Sequence, residues 1–535
     1  MSPESISRAR AESPDYDYIV IGSGFGGSVA ALRLAEKGYR VLVLEKGKEL
    51  KAEDFPNTNW NLKRWMWMPE LRFYGLFKLT FMRHITILSG VGVGGGSLVY
   101  ANTMPMPDEK FFRAEPWGRL ADWKRELMPH YETARRMMGV TPNPRLEIGD
   151  MVLFKIAKEM GRAEYFKPTE VAVFFGDPEK QVDDPYFDGR GPKRKGCNFC
   201  GACMTGCRYD GKNSLDKNYL YLAKRLGAKI QAESLVYDVR PLGGLDGRNG
   251  YKVFWRSSTS LADKRGAFRC KGVIFAGGVL GTLALLLKLR GSSLPRLSDR
   301  LGRLVRTNSE SLLGVTTLSK DLVFSDGIAI GSILKLDEHS HVEPVRYGAG
   351  SGFWRILQAP LVSGKSAGER LRKIFRDIIR HPETNFKAFF VDDFAKRTQI
   401  LLFMQTLNST LRLTRGRFGL RSTMEEGPAP TPFIPEAHGL AKRFAEHVGG
   451  RPGALLTESI LGIPTTAHIL GGCTMGRSPQ EGVIDKDHRV FGYANMYVCD
   501  GSAFSANPGV NPSLTILAMA ERAMSKIPPK GTQEL

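Results

Sequence analysis

Four cysteines lie within eleven residues, Cys197, Cys200, Cys203 and Cys207, in the spacing C-x2-C-x2-C-x3-C. Thiolates so spaced can wrap one small iron–sulfur cluster, and bacterial ferredoxins use the same run, although Arg208 stands here where they carry proline. C-x2-C pairs also bind zinc, and plain reduced thiols are the third reading. An iron–sulfur centre would take electrons one at a time and pass them to a carrier. With four of the seven cysteines packed together, the chain does not read as a disulfide framework.

A second pattern precedes these thiols. The apolar run Tyr18-Ile19-Val20-Ile21 leads directly into Gly22-Ser23-Gly24-Phe25-Gly26-Gly27. A helical pattern follows through Val29, Leu32, Leu34 and Ala35, stops at Gly38, and gives way to a second strand, Arg40 to Leu44, ending at Glu45. This is G-x-G-x-x-G in its required strand–turn–helix setting. Gly22 permits the tight turn, Gly24 lets backbone approach a pyrophosphate, and Gly27 lets the helix pack close to the strand. The helix N-terminus offers free N–H groups to phosphate, and Glu45 is placed to accept from ribose hydroxyls. The unit alone does not separate FAD from NAD.

Two further glycine clusters suggest backbone hugging a flat ligand. Ser89 to Ser97 contains Gly90, Gly92, Gly94, Gly95 and Gly96, and Val273-Ile274-Phe275-Ala276-Gly277-Gly278 runs a strand into small residues before a helix from Leu280 to Leu289. Near the C-terminus come Ala467-His468-Ile469-Leu470-Gly471-Gly472, then Cys499-Asp500-Gly501-Ser502, then Gly509-Val510-Asn511-Pro512-Ser513 opening an apolar helix.

In this order the motifs resemble the glucose–methanol–choline (GMC) family of flavin oxidoreductases, and within it the cholesterol oxidases with non-covalent FAD. The resemblance runs through nearly the whole chain. It implies an α/β and α+β architecture, a Rossmann-like FAD-binding domain interleaved with a mixed-sheet substrate-binding domain. The FAD domain is expected over 14–50, 84–105, 225–300 and 460–527, and the substrate or cap domain over 51–83, 106–224 and 301–459. His468 matches the family's active-site histidine and Asn511 the asparagine beside the flavin. Glu343, in His341-Val342-Glu343-Pro344, matches the glutamate that moves a proton in sterol double-bond isomerisation, a surface glutamate being the alternative. Cofactor contacts are expected at Gly22, Gly24, Gly27, Glu45, Gly92, Gly94, Gly95, Gly96, Ser97, Asn102, Val236, Gly277, Asp500, Gly509 and Pro512. The implied reaction is oxidation of a sterol or steroid secondary alcohol to a ketone, with O2 or an electron-acceptor protein as oxidant. The Cys197–Cys207 segment departs from the best-known cholesterol oxidases and resembles one in some GMC dehydrogenases and long-chain alcohol oxidases. The alternatives are a dehydrogenase of another lipid alcohol or a sugar with an iron–sulfur relay, and a non-catalytic flavoprotein that binds sterol or membrane.

At 535 residues the chain is long enough for two domains. Its formal net charge of +21 favours anionic partners, and residues 351–420 carry 13 Lys/Arg against 5 Asp/Glu. No zinc finger, RNP signature or basic tail favours nucleic acid. Aromatics alternate with basic residues from Trp60 to Phe81, fitting either an anionic membrane interface or a cap over the pocket. The stretch Arg370 to Arg380 adds a basic amphipathic pattern that suits a membrane or an ordinary surface helix. The polar first residues lack the apolar core of a secretory signal, and no run reaches the roughly 18 apolar residues of a span. The expected location is cytoplasmic or peripheral to a membrane, with disorder at the first dozen and last eight residues.

Overall fold

Strand Tyr16–Ile21 is buried on both sides and lies at the centre of a seven-stranded sheet, as expected of a parallel strand covered on both faces. The structure, a computed structural model, describes residues 14–532 except 408, 418, 426 and 427. Tyr16–Ile21 pairs in parallel with Val41–Leu44 on one side and with Arg265–Phe275 on the other. Lys229–Gln231 extends one edge in parallel. Beyond Arg265–Phe275, a meander of Tyr251–Ser257 and Ser234–Pro241 runs antiparallel. The last residues of Arg265–Phe275 also pair in parallel with Met496–Val498, so the C-terminal region returns to the sheet that the N-terminus begins.

Helix Phe25–Glu36 packs between helices Tyr219–Arg225 and Ser513–Ser525. Two buried hydroxyls tie this layer together. Tyr219 Oη donates to Glu521 Oε1 at 2.7 Å, and Tyr131 Oη to Thr515 Oγ1 at 2.8 Å. Tyr131 belongs to helix Trp123–Met137, which lies against Ser513–Ser525. Phe111, Trp117, Trp123 and Leu220 share the first core. Much of the segment 106–224 thus buries its apolar face against the dinucleotide unit. Leu411 and Leu413, from within 301–459, join the same core.

A second seven-stranded sheet runs in the order Gln358–Pro360, Gly450–Leu455, Ser311–Thr317, Thr398–Gln405, Ser340–Val345, Ser332–Lys335, Phe166–Pro168. Every pairing in it is antiparallel, where a mixed sheet was expected; the mixed pairing belongs to the first sheet. Helices Ile148–Glu159 and Pro435–Val448 cover one face. The period of two divides its residues, with Leu401 and Phe403 facing the helices while Ile400 and Leu402 line a cavity on the other side.

In the segment from Trp60 to Phe81, Trp65, Met66, Trp67 and Phe77 are buried, and Trp65 stacks on Phe77 with ring centroids 4.7 Å apart. Phe77 lines the cavity, so this part of the segment is a cap. At the C-terminus, residues 528–532 pack against the chain rather than being disordered as expected. Lys530 Nζ reaches Asp17 Oδ2 at 2.7 Å and Tyr39 Oη donates to the Pro528 carbonyl at 2.9 Å. The expected disorder at residues 1–12 and 533–535 lies outside the described residues. No helix among the described residues is long and apolar enough to cross a membrane.

Candidate active site

One cavity of about 360 Å3 lies between the two sheets. Three helices begin on its wall: Phe25–Glu36 after Gly24, Gly278–Arg290 after Gly277, and Ser513–Ser525 after Pro512. None is capped by the side chain of its own N-cap residue. At the second, Gly277 N donates to Thr282 Oγ1 at 3.2 Å and Asp500 accepts from the Gly278 backbone, whereas the positive dipole ends of the other two suit a diphosphate. A Cβ on Gly24 would find only Gly95 Cα within 4 Å, at 3.9 Å, so a side chain there would project into the cavity. Lys46 and Lys78 also line it, and neither forms an ion pair among the described residues. Burial, with repulsion from Lys78, pushes the Lys46 ammonium down to about 8. These residues fit an anionic dinucleotide.

Glu45 is buried on this wall. Its Oε2 accepts from Ser23 N at 3.1 Å and Ser23 Oγ at 2.8 Å, and its Oε1 from Gly47 N at 2.8 Å. The carboxylate is thus already oriented, and Oε1, which accepts a single bond, retains acceptor capacity for a hydroxyl. Gly22, Gly95, Gly96, Gly277, Asp500 and Pro512 also line the cavity.

Other expected contacts sit elsewhere. Gly27 lies behind the turn, where a Cβ would come 2.1 Å from Gly22 O. Gly26, to which the motif assigns no role, is tighter still, its Cβ falling 1.6 Å from Cys499 O. Gly92 and Gly94 shape the second glycine loop with φ of 135° and 106°, and Gly94 N donates to Ser23 Oγ at 3.1 Å. Ser97 Oγ donates to Gly94 O and accepts from Leu215 N, which makes it a loop brace. Val236 is buried within its strand and is not on the cavity wall. Gly509 turns the chain at φ 63° ahead of Asn511, and Asn102 lines a different cavity. Gly27, Gly92, Gly94, Ser97, Asn102, Val236 and Gly509 thus do not lie on the wall of the main cavity.

His468 follows the short strand Thr465–Thr466, which pairs in parallel with Thr86–Ile87. Its Nδ1 lies 2.7 Å from Glu310 Oε1. Glu310 also accepts from Thr466 Oγ1 at 2.8 Å and Ala467 N at 3.0 Å. A carboxylate surrounded by donors assigns the proton to His468 Nδ1 and leaves Nε2 as an acceptor. That nitrogen accepts from Asn511 Nδ2 over a long 3.5 Å. Burial disfavours the imidazolium, but the charge and hydrogen bond of Glu310, with Glu343 adding, outweigh it and raise the pKa of His468.

Asn511 Nδ2 also donates to Glu343 Oε2 at 3.2 Å. Glu343 is fully buried, so the surface reading of this residue fails. Burial pushes its carboxyl up to about 7 against the Asn511 hydrogen bond and His468. His341 Nε2 lies 3.8 Å from Glu343 Oε1, and burial together with His468 holds His341 down at about 4. Glu458 stands behind the group and donor Thr465 N reaches its Oε1 at 3.1 Å. Burial lifts Glu458 to about 8. Glu310, Glu458 and Lys46 carry no motif and were not anticipated.

All four cysteines line one small separate cavity with Asn102 and Lys212. Among the described residues no group of three or more His, Cys, Asp or Glu could hold a single metal ion.

Residues 436–520 match the family described as GMC oxidoreductase, and residues 20–59 match an NAD(P)-binding Rossmann-like domain. A cholesterol oxidase of Acinetobacter baumannii is 45% identical, with 97% of this chain and 96% of that protein aligned. A cholesterol oxidase of Mycobacterium tuberculosis is 44% identical over 97% of this chain and 92% of its own. Among solved structures, pyridoxine 4-oxidase from Mesorbium loti superposes with a TM-score of 0.60 at 16% identity, covering 95% of this chain and 98% of that one, a likeness of fold.

Proposed function

The chain belongs to the GMC oxidoreductase family and is an FAD-dependent alcohol oxidoreductase, and from that premise we propose that it oxidises the 3β-hydroxyl of a sterol or steroid to the ketone. The observation that carries this reading is His468 Nε2 facing Asn511 Nδ2 at 3.5 Å, with Nδ1 held by Glu310, on a cavity whose wall includes Phe77, Tyr347, Trp354, Ile400 and Leu402. When bound, FAD accepts the carbinol hydride. His468 Nε2 takes the hydroxyl proton, which its lone pair can do only while unprotonated. Asn511 orients the same oxygen without changing charge. The apolar wall holds the ring system and keeps water from the reacting carbon. Flavin in the purified chain should bleach anaerobically on addition of a 3β-hydroxysteroid. A bound flavin that only sugars or short alcohols reduce would replace the sterol with another substrate.

Glu343 is proposed to move the proton that shifts a steroid double bond after oxidation. At about 7 its carboxyl can both accept and release a proton near neutral pH. Glu343→Gln is expected to yield ketone without the absorbance of the conjugated enone. Conjugated product from that variant would exclude the role.

We also propose that the protein docks on anionic membranes through helix Ala367–Arg380 and its neighbour Pro382–Phe389. The inward side of the first helix is taken by Arg370 and Ile374. Phe375 and Ile379 are 62% and 75% exposed, while Phe386 and Phe390 project from the second helix and its end. Arg372, Arg376 and Arg380 form an adjacent stripe at i, i+4 spacing with no ion pair among the described residues. An exposed apolar sector flanked by arginines is the pattern of an interfacial helix. The helix packs on Gln358–Pro360, whose Gln358 lines the cavity, so docking would bring the cavity close to lipid. At about 1 kcal/mol per basic residue near an anionic surface, Arg372, Arg376 and Arg380 all changed to Gln should weaken co-sedimentation with phosphatidylserine vesicles by about 10²-fold. Turnover of detergent-dispersed steroid should be unaffected. Unchanged sedimentation would remove the membrane reading.

A further inference from the structure

One register row of the second sheet runs from the reacting end of the cavity to its far edge. Glu343 lies opposite Leu402, and Leu402 opposite Leu312. The pairing of Leu313 with Ala454 sets Leu312 beside Leu455, which in turn lies opposite Gln358. Residues directly opposite in antiparallel strands share a face, and Leu402, Leu312, Leu455 and Gln358 all line the cavity. Glu343 marks the reacting end, because Asn511 Nδ2 reaches its Oε2 at 3.2 Å and His468 Nε2 at 3.5 Å. Between that end and Gln358 the floor of this row is leucine.

The adjacent row on the same face begins with Val345 and Ile400 and continues to Gly314 and Gly453, which lie opposite each other. Two glycines side by side leave a trough in the sheet face, and the Gln358 amide lies in it. A Cβ on Gly453 would come 2.5 Å from Gln358 Nε2, and one on Gly314 would come 2.9 Å from it. Gln358 is half-buried, and its side chain makes no hydrogen bond among the described residues. Its amide therefore offers a donor and an acceptor to whatever fills the cavity. Thr398, on the same wall, is already engaged, its Oγ1 lying 2.9 Å from Thr316 Oγ1.

The distance between the two polar ends selects the ligand. Ser311–Thr317 and Gly450–Leu455, which carry the two glycines, are second and third in the sheet from Ser340–Val345, which carries Glu343. Two to three strand spacings amount to roughly 10–14 Å. That is the length of a fused four-ring steroid nucleus from its C3 oxygen to C17. A steroid with its 3-hydroxyl at His468 lies across the leucine floor and brings the edge of its last ring to the Gln358 amide. An alkyl edge there would displace water and leave the amide unpaired, which is unfavourable. An oxygen at C17 would pair it.

The geometry points to Gln358 as a specificity-determining residue that hydrogen-bonds an oxygen at C17, so that the preferred alcohols are 3β-hydroxysteroids bearing a 17-ketone or a 17-hydroxyl. Nε2 donates to either oxygen, and Oε1 accepts from the hydroxyl. This assignment rests on the reading of the cavity as a 3β-hydroxysteroid site.

Anaerobic stopped-flow bleaching of the flavin is to be measured against concentration for three 5-androsten-3β-ols that differ only at C17, as ketone, hydroxyl or unsubstituted carbon. The two oxygenated steroids are expected to show an apparent affinity about 5- to 10-fold higher, the scale of one net hydrogen bond. The limiting rate should differ little among the three, since the contact is remote from the reacting carbon. Gln358→Leu should bring the affinity ratio to near one. Gly314→Ala keeps the glutamine but sets a methyl against its amide, with the next residue, Thr398, 3.5 Å away at Cγ2, and should lower the ratio as well. If Gln358→Leu does not fold, Gly314→Ala and the ratio in the unaltered protein still decide. A ratio near one in the unaltered protein, or one that survives Gln358→Leu, would overturn the assignment and leave steroid oxidation intact. Flavin that none of the three steroids reduces would overturn the function proposed above and this assignment with it.

Discussion

His468→Ala is expected to retain flavin and to slow its reduction by substrate about 10²-fold or more, the scale of a lost acid–base group. The cofactor cradle is built from the glycine turn, Glu45 and three helix starts, none of which depends on the imidazole. The main chain at His468 keeps its own anchor, with N donating to Thr466 Oγ1 at 2.9 Å. Glu310 loses one donor but keeps Thr466 Oγ1 and Ala467 N, so no carboxylate is left bare in the interior. The fold and the flavin should therefore survive, and the deficit should appear in the chemical step. Anaerobic stopped-flow bleaching of the flavin reads that step directly. A rate equal to the unaltered protein would remove His468 from the proton's path.

The second large effect is expected at Glu310. Glu310→Gln retains an acceptor oxygen for His468 Nδ1 and removes the charge. A charge-assisted hydrogen bond is worth roughly 1.5–3 kcal/mol, which corresponds to a reduction rate lower by about 10- to 10²-fold. The pH profile separates this from simple structural damage. Glu310 raises the pKa of His468 against burial, and the base works only when Nε2 is unprotonated. The acid limb of the rate profile should thus lie above the ordinary histidine value of about 6.5 in the unaltered protein and move to lower pH in the variant. The same linkage gives a sign for stability. The raised pKa of His468 contributes stability below the unfolded value, lost as pH rises through the folded one, so the variant should be penalised most at acid pH. A slower variant whose limb has not moved would make Glu310 a structural brace rather than a positioning residue.

The residues now assigned to the reaction divide by how their positions are encoded. Gly22, Gly24 and Gly277 were legible because each lies where a strand turns into a helix, a feature of a few consecutive residues, and Pro512 through resemblance. His468 and Asn511 were legible through resemblance. Glu310 was not, because its bond to His468 spans 158 residues and nothing beside it in the chain marks it. Gly92, Gly94 and Gly509 look no different in sequence from Gly95 and Gly96. Which of them reaches the cavity wall depends on how the loop is folded, not on the residue type. The apolar and basic pattern at Arg370–Arg380 was visible, but which face turns inward was not. Arg370 on the inner side is what leaves Phe375 and Ile379 exposed.

By itself, then, the sequence determined the dinucleotide turn, the strand and helix that flank it, and the spacing of four thiols, since each is a local matter of backbone conformation. The tertiary structure alone decided what meets what. It brought Glu310 to His468, Asn511 to Glu343, and Lys212 to the thiols. Those contacts arise from burial of two sheets against each other, which imposes a charge, a hydrogen bond or a vacant lone pair on residues far apart in the chain.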